Sequence, residues 1–217
     1  MRNTIEISAP PIEPITTEEA KRWLSVGDGF NTSMDESEID NLIVAAREGV
    51  EDEMQKPIII REFQTTYDRI SNKHLRYFCT DFFMELPKQP IVSIVSVKYF
   101  DEDNVEQTVD SSEYYFDSKK IVFKDLTHTT MRAYKSFVIN YTAGFSTTQA
   151  GVKNDIKTAL KYHLADFWKV QQDYMGRNKD TSVVIATENP MTERARAILK
   201  QYIDSSFFDD GEGYYVC

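Results

Sequence analysis

Residues 91–109, IVSIVSVKYF followed by DEDN and VEQTV, decide the fold of this chain. β-Branched and aromatic residues fill most of residues 91–100, and such residues favour strands. The polar residues 101–104 are typical of a tight turn, and the apolar character returns at Val105. The stretch therefore predicts a β-hairpin. Because side chains alternate along a strand, we expect residues 94, 96 and 98 on one face and residues 95, 97 and 99 on the other.

Strand-like segments continue on both sides of this hairpin. They are residues 58–70, 114–117, 121–124 and 137–142, each rich in Ile, Val, Phe or Tyr. Residues 58–145 are therefore predicted to form a compact antiparallel β unit.

Helical periodicity lies on either side of the β unit. Thr16 and Glu19 have capping-box spacing, which predicts a helix over residues 17–26. Apolar residues then recur every three or four positions over residues 36–55 and again from residue 152 to about 176. The acidic run at residues 51–53 is expected on the solvated side of the second helix.

A last helix is predicted near the C-terminus. Asn189 and Pro190 fit the N-cap and the first helical position, so the helix is expected to run to about residue 203. The proline-rich residues 1–15 cannot form a helix and are predicted to be an extended arm.

The element order predicts an α+β fold in which a helical body receives an inserted antiparallel β unit. In this interpretation residues 16–57 and 146–176 form the helical body and residues 58–145 the insertion. Residues 177–217 add a loop, the C-terminal helix and an acidic, aromatic tail.

Charge and composition exclude several classes of protein. The 217 residues include 25 basic and 35 acidic side chains, for a net charge of −10. This balance argues against a protein that wraps nucleic-acid phosphates, which requires Lys and Arg. No apolar run approaches the length of a membrane span, and no secretory signal precedes the first helix, so we expect no membrane contact and synthesis in the cytoplasm. Two cysteines exclude a disulfide framework.

Catalytic and metal-binding motifs are missing from the sequence. The three histidines are scattered, and His163 lies on an apolar helical stripe, which favours a core or interface role. Asp101 and Asp103 resemble the start of a calcium loop but lack its glycine and distal glutamate, so a solvated hairpin tip is favoured. We therefore expect no enzyme activity, no metal and no cofactor.

Aromatic side chains are the remaining candidates for a functional site. The chain has 13 Phe and 12 Tyr, several in adjacent pairs. In the tail, Phe207, Phe208, Tyr214 and Tyr215 have acidic rather than basic neighbours. This context favours a protein interface over nucleic-acid stacking. Phe167 and Trp168 are the expected core anchors of the long helix.

Several segments together resemble the head–tail adaptor, or connector, proteins of long-tailed bacteriophages. The matching segments, in order, are ITTEEAK at residues 15–21 with Leu24, IVAAREGVE at 43–51, LP at 86–87, PIVSIVSVKY at 90–99, YTAGF at 141–145 and the helix over 152–172. Residues 177–217 extend beyond the part that the resemblance covers.

The resemblance implies a non-catalytic structural protein of the virion neck. Such a protein assembles in the host cytoplasm as a homo-oligomeric ring, commonly a dodecamer, beneath the portal protein. The ring joins the DNA-filled head to a tail or tail-completion protein, and DNA only passes through it. Two alternatives remain: another neck or tail-completion ring protein, and a β-sandwich binding module built on residues 58–145.

Overall fold

The computed structural model describes residues 2–26, 35–68, 82–124, 135–174 and 191–203. These residues form two compact units. The described residues of the β unit lie within residues 2–11 and 60–145, and those of the helical unit within residues 12–59 and 146–203. Helices and antiparallel sheets are both present, so the predicted α+β class is confirmed.

The described part of the β unit contains two antiparallel sheets. Its strands are β1 Arg2–Glu6, β2 Arg61–Tyr67, β3 Phe82–Glu85, β4 Ile91–Phe100, β5 Glu106–Thr108, β6 Tyr114–Phe116, β7 Lys120–Phe123 and β8 Phe137–Ala143. The five-stranded sheet has the order β1-β2-β8-β4-β5, and the three-stranded sheet has the order β3-β7-β6. Strands β4 and β5 pair as predicted for the hairpin, with Lys98 opposite Thr108.

The side-chain alternation predicted for β4 is confirmed from Ser96 to Tyr99 and is wrong before Ser96. Its pairing with β8 is shifted between Ile91 and Ser93 and again between Ile94 and Ser96. Each shift inserts one extra residue, and a bulge of this kind changes which side chains share a face. Val97 consequently lies in the core, whereas Val95 is 54 % exposed.

The core of the β unit draws apolar side chains from both of its sheets. Strand β8 alternates strictly, so Phe137, Ile139, Tyr141 and Ala143 are buried and the residues between them are half-buried. The hydroxyl of the buried Tyr141 accepts a hydrogen bond from the backbone N–H of Lys88 at 3.2 Å. The polar end of this ring is thereby satisfied inside an otherwise apolar cluster.

Strands β1 and β3 were not predicted. Residues 2–6 of the predicted N-terminal arm pair along the edge of β2. Thr4 and Thr65 exchange a 2.9 Å hydrogen bond, and Arg61 forms an ion pair with Glu6 at 2.9 Å. The strand predicted over residues 58–70 starts instead at Arg61, because Ile59 pairs with Ser146 inside the helical unit.

The described helices of the helical unit are α1 Thr17–Leu24, α2 Glu36–Met54, α3 Asn154–Tyr174 and α4 Glu193–Leu199, followed by a 3-10 turn at Lys200–Tyr202. The Thr16 cap is confirmed, since its hydroxyl accepts the N–H of Glu19 at 3.0 Å. The cap predicted for the last helix is wrong. Thr192, whose hydroxyl accepts the N–H of Ala195, is the N-cap, so the helix begins after Asn189 and Pro190. No described helix is long and apolar enough to cross a bilayer.

Candidate functional site

A buried arginine organises the N-terminal half of the helical unit. Arg47 of α2 is almost inaccessible to solvent. Its Nε donates to Oε2 of Glu13 at 2.9 Å, and its Nη1 donates to Oε2 of Glu51 at 3.0 Å. Arg47 therefore holds the segment before α1 against α2 through two carboxylates, as the fork of donors on a guanidinium allows.

The sequence had predicted that Glu51 lies on a solvated helix face, and this prediction is wrong. Glu51 is buried in the ion-pair cluster of Arg47. Its second carboxylate oxygen, Oε1, accepts the backbone N–H of Ile58 at 2.7 Å. Asp52 beside it is exposed, as predicted. Burial raises the pKa of Glu13, and the charge and hydrogen bond of Arg47 oppose that rise. Removing one partner of a buried ion pair leaves the other charge uncompensated, which is strongly destabilising. The pair therefore holds Glu51 in place, and Glu51 in turn fixes the backbone at Ile58 after α2.

His163 of α3 lies in the core of the helical unit, and neither of its ring nitrogens has a hydrogen-bond partner among the residues that the structure describes. It is 0 % exposed. A Cβ at Gly49 would lie 2.3 Å from its Nε2, so the glycine is what allows the ring to approach α2. The Phe167 ring also contacts it, with 4.5 Å between the ring centroids. Burial, and secondarily the charge of Arg196, lower the pKa of His163 to about 4, which keeps the ring neutral.

The two predicted core anchors occupy different environments. Trp168 is buried, with 8 % of its surface exposed, whereas Phe167 is half-buried against His163. Neighbouring residues on a helix point about 100° apart, so both cannot face the same core equally.

Exposed aromatic rings form a second set of candidate residues. Trp23 of α1 is 44 % exposed and stands edge-on against Tyr162 at 5.8 Å between ring centroids. On strand β6, Tyr115 is 51 % exposed and Phe116 is also exposed. Trp23 was missed at the sequence level because it lies beside charged residues in a short helix. Partly exposed Trp and Tyr are enriched at protein interfaces.

The predicted tail residues Phe207, Phe208, Tyr214 and Tyr215 lie outside the described residues. So do His74 and His128.

Asp101 shapes the tip of the β4–β5 hairpin. One of its carboxylate oxygens accepts the backbone N–H of Asp103 at 3.0 Å and that of Val105 at 2.9 Å. The hydrogen bond from Val105 is the main cause that lowers the pKa of Asp101. Within the described ranges, no three His, Cys, Asp or Glu side chains are grouped so that they could hold a metal ion. The solvated-tip interpretation accounts for the contacts of Asp101.

Together, these features define an α+β protein with exposed aromatic rings on its surface and, in its helical unit, a buried Arg47 ion-pair cluster and a buried neutral histidine. The sequence model of the head completion protein family matches residues 13–204. The chain belongs to the head completion protein family. This membership confirms the resemblance to phage head–tail adaptors.

Solved structures of a gene transfer agent (GTA) particle have a similar fold. A chain in the virion of the native GTA particle is 17 % identical, with a TM-score of 0.66 over 92 % of this chain and 94 % of that one. A chain in the neck of the empty particle, computed with C6 symmetry, is 18 % identical, with a TM-score of 0.64 over 93 % and 95 %. A chain in the neck of the native particle, computed with C12 symmetry, is 17 % identical, with a TM-score of 0.54 over 93 % and 94 %. No curated protein matches this chain by sequence.

Proposed function

We propose that this chain is a non-catalytic structural protein of the virion neck. It assembles as a dodecameric ring beneath the portal protein and joins the DNA-filled head to the tail. Membership of the head completion protein family over residues 13–204 carries this proposal. The fold that the chain shares with chains in neck structures of the GTA particle supports the ring and its place in the particle.

The charge of the chain suits a ring through which DNA passes. At −10 per copy, acidic residues near a channel repel phosphates, so the duplex moves through without sticking. DNA is thus a passing cargo, and the ring requires no cofactor.

The mass of the purified protein tests this function. Twelve copies of a 25.1 kDa chain form a species of about 300 kDa in light scattering, alone or after addition of the cognate portal protein. We expect that species in at least one of the two conditions. A protein that stays monomeric and ignores the portal would contradict the proposal, and a ring that ignores the portal would indicate a neck or tail-completion ring further from the head.

We further propose that the C-terminal tail docks on the portal or on the tail. Phe207, Phe208, Tyr214 and Tyr215 supply apolar rings, and Tyr and Phe are favoured at interfaces. Deletion of residues 205–217 should leave the unfolding transition unchanged and weaken portal or tail binding. Replacing only the four aromatic residues by serine provides the control for chain length. Unchanged affinity in both variants would contradict this role.

A further inference from the structure

Helix α2 carries an acidic row on its exposed surface. Asp40, Val44, Glu48 and Asp52 follow one another at intervals of four residues, so their side chains lie along one ridge. The three acids are exposed and Val44 is half-buried. Because a helix rises 1.5 Å per residue, the row is about 18 Å long.

Helix α3 carries a basic row with the same spacing. Its members are Lys157, Lys161, Ala165 and Lys169, of which Lys169 is exposed and the other three are half-buried. Among the described residues, Lys157 and Lys161 form no side-chain ion pair or hydrogen bond. Lys169 lies close enough to Asp166 to lower the pKa of that carboxyl, against the larger effect of burial. The chain thus presents uncompensated positive charge in a protein of net charge −10.

The two rows match when they run antiparallel. The acids at 40, 48 and 52 are separated by eight and then four residues. The lysines at 157, 161 and 169 are separated by four and then eight. The antiparallel alignment places Asp52 opposite Lys157, Glu48 opposite Lys161, Val44 opposite Ala165 and Asp40 opposite Lys169. A parallel alignment places Lys161 opposite Val44 and Glu48 opposite Ala165, so two charges lose their partner. Rows spaced by four residues are also the ridges that pack most often between helices.

We propose that the acidic row of α2 in one copy of this chain docks antiparallel on the basic row of α3 in the neighbouring copy. The occupant is a second copy because the two complementary rows are on the same chain, and neither Lys157 nor Lys161 forms an ion pair with the acidic row or with any other residue that the structure describes. Contacts between two different surfaces link copies head to tail, and such a chain of copies closes into a ring when the rotation between neighbours divides a full turn evenly. The proposal names the subunit contact of the neck ring and so rests on the proposed function.

The first test reverses the basic row. The variant Lys157→Glu/Lys161→Glu places acids opposite acids, and like charges across an interface are strongly unfavourable. We expect its assembly midpoint in light scattering, alone or on the portal protein, to rise about tenfold or more. The control Arg194→Glu/Lys200→Glu makes the same change in net charge at exposed residues of the last helix and the turn after it. It should assemble like the wild type, and the fluorescence of the two tryptophans verifies that each variant is folded.

The second test restores the match by mixing. The variant Glu48→Lys/Asp52→Lys carries lysines at two of the three acidic positions of α2 opposite the basic row of α3. The lysine-reversed variant, Lys157→Glu/Lys161→Glu, carries acids at two of the three basic positions of α3 opposite the acidic row of α2. Neither should assemble alone, and an equimolar mixture should form mixed rings in which the two alternate. The control variant Arg194→Glu/Lys200→Glu should not form mixed rings with the Glu48→Lys/Asp52→Lys variant, because its α3 keeps the basic row. Wild-type assembly should also weaken with added salt, because salt screens surface charges.

The outcomes separate this contact from the ring itself. If the wild type forms rings and Lys157→Glu/Lys161→Glu assembles equally well, the contact between the two rows is overturned. The proposed function then stays intact. A mixture that stays as unassembled as its two components would also overturn it. Wild-type protein that remains monomeric with and without the portal would overturn both.

Discussion

Lowering the pH from 7.5 to 5.0 should destabilise the helical unit through His163. The folded state holds this ring buried, without a hydrogen-bond partner in the described part of the chain, and with a pKa of about 4, whereas an unfolded histidine has a pKa near 6.5. Between these values the unfolded chain binds more protons than the folded chain. The stabilising contribution is therefore present above pH 6.5 and is lost as the pH falls towards 4.

The size of the effect follows from the difference between the two pKa values. One pKa unit corresponds to about 1.4 kcal/mol, so the full loss well below pH 4 is about 3 kcal/mol. At pH 5.0 the histidine is almost fully protonated in the unfolded chain and mostly neutral in the folded one, and the loss is about 2 kcal/mol. Glu13 and Asp166 have raised pKa values in the folded protein and favour folding at low pH, so they oppose the effect.

Urea unfolding followed by tryptophan fluorescence measures this loss. The only tryptophans, Trp23 and Trp168, both belong to the helical unit, so the signal reports that unit alone. The matched variant His163→Leu retains Glu13 and Asp166 and removes the titrating ring. The wild type should lose about 2 kcal/mol more than the variant between pH 7.5 and 5.0. Equal losses would refute the assignment of a neutral, unpartnered histidine.

Three substitutions test the packing around this site by urea unfolding at pH 7.5. Trp168→Ala should lower the free energy of unfolding by about 3–5 kcal/mol, since the ring is buried, and a loss below about 1 kcal/mol would indicate an exposed ring. Gly49→Ala brings a methyl group 2.3 Å from His163 and should cost about 1–3 kcal/mol. That cost should shrink when His163→Ala is also present, so additive effects in the double-mutant cycle would contradict the clash. Glu51→Gln removes a buried charge from its arginine partner and should cost about 1.5–3 kcal/mol, whereas the exposed Asp52→Asn should be nearly neutral. Equal effects at residues 51 and 52 would contradict the difference in burial.

Local sequence patterns predicted element type well where the periodicity was long and regular. Strand β4 was predicted over residues 91–100, as observed, because β-branched and aromatic residues, which favour strands, fill most of that stretch. The predicted faces were wrong before Ser96 because Val92 and Val95 are extra residues at the two places where the pairing of β4 with β8 shifts. The triplet Ile-Val-Ser occurs twice there and places one exposed valine in each repeat. A repeat of three residues in a strand is the available signal for such irregular pairing.

Tertiary contacts account for the remaining errors. Glu51 looked like a member of a solvated acidic run, but it follows Arg47 by one helical turn at the border of the apolar stripe. That spacing allows an ion pair, and only the segment containing Ile58 determines that the pair is buried. The start of the last helix was misplaced because Asn189 and Pro190 are good capping residues in isolation. Thr192 caps the helix instead, and its N–H is held by the carboxylate of Asp166 on α3.

The net charge of this chain excludes nucleic-acid wrapping but does not by itself assign a function. The value of −10 argues against wrapping nucleic acid, yet it also predicts that copies of this chain repel each other. A protein of this charge can assemble with itself only where local pattern departs from the average. The lysines at residues 157, 161 and 169 are such a departure, and their spacing matches acids that another helix of the same chain already exposes. In the proposed ring contact, the positions of a few charges on two helices select the interface, while the excess of acid elsewhere disfavours contacts between the other surfaces.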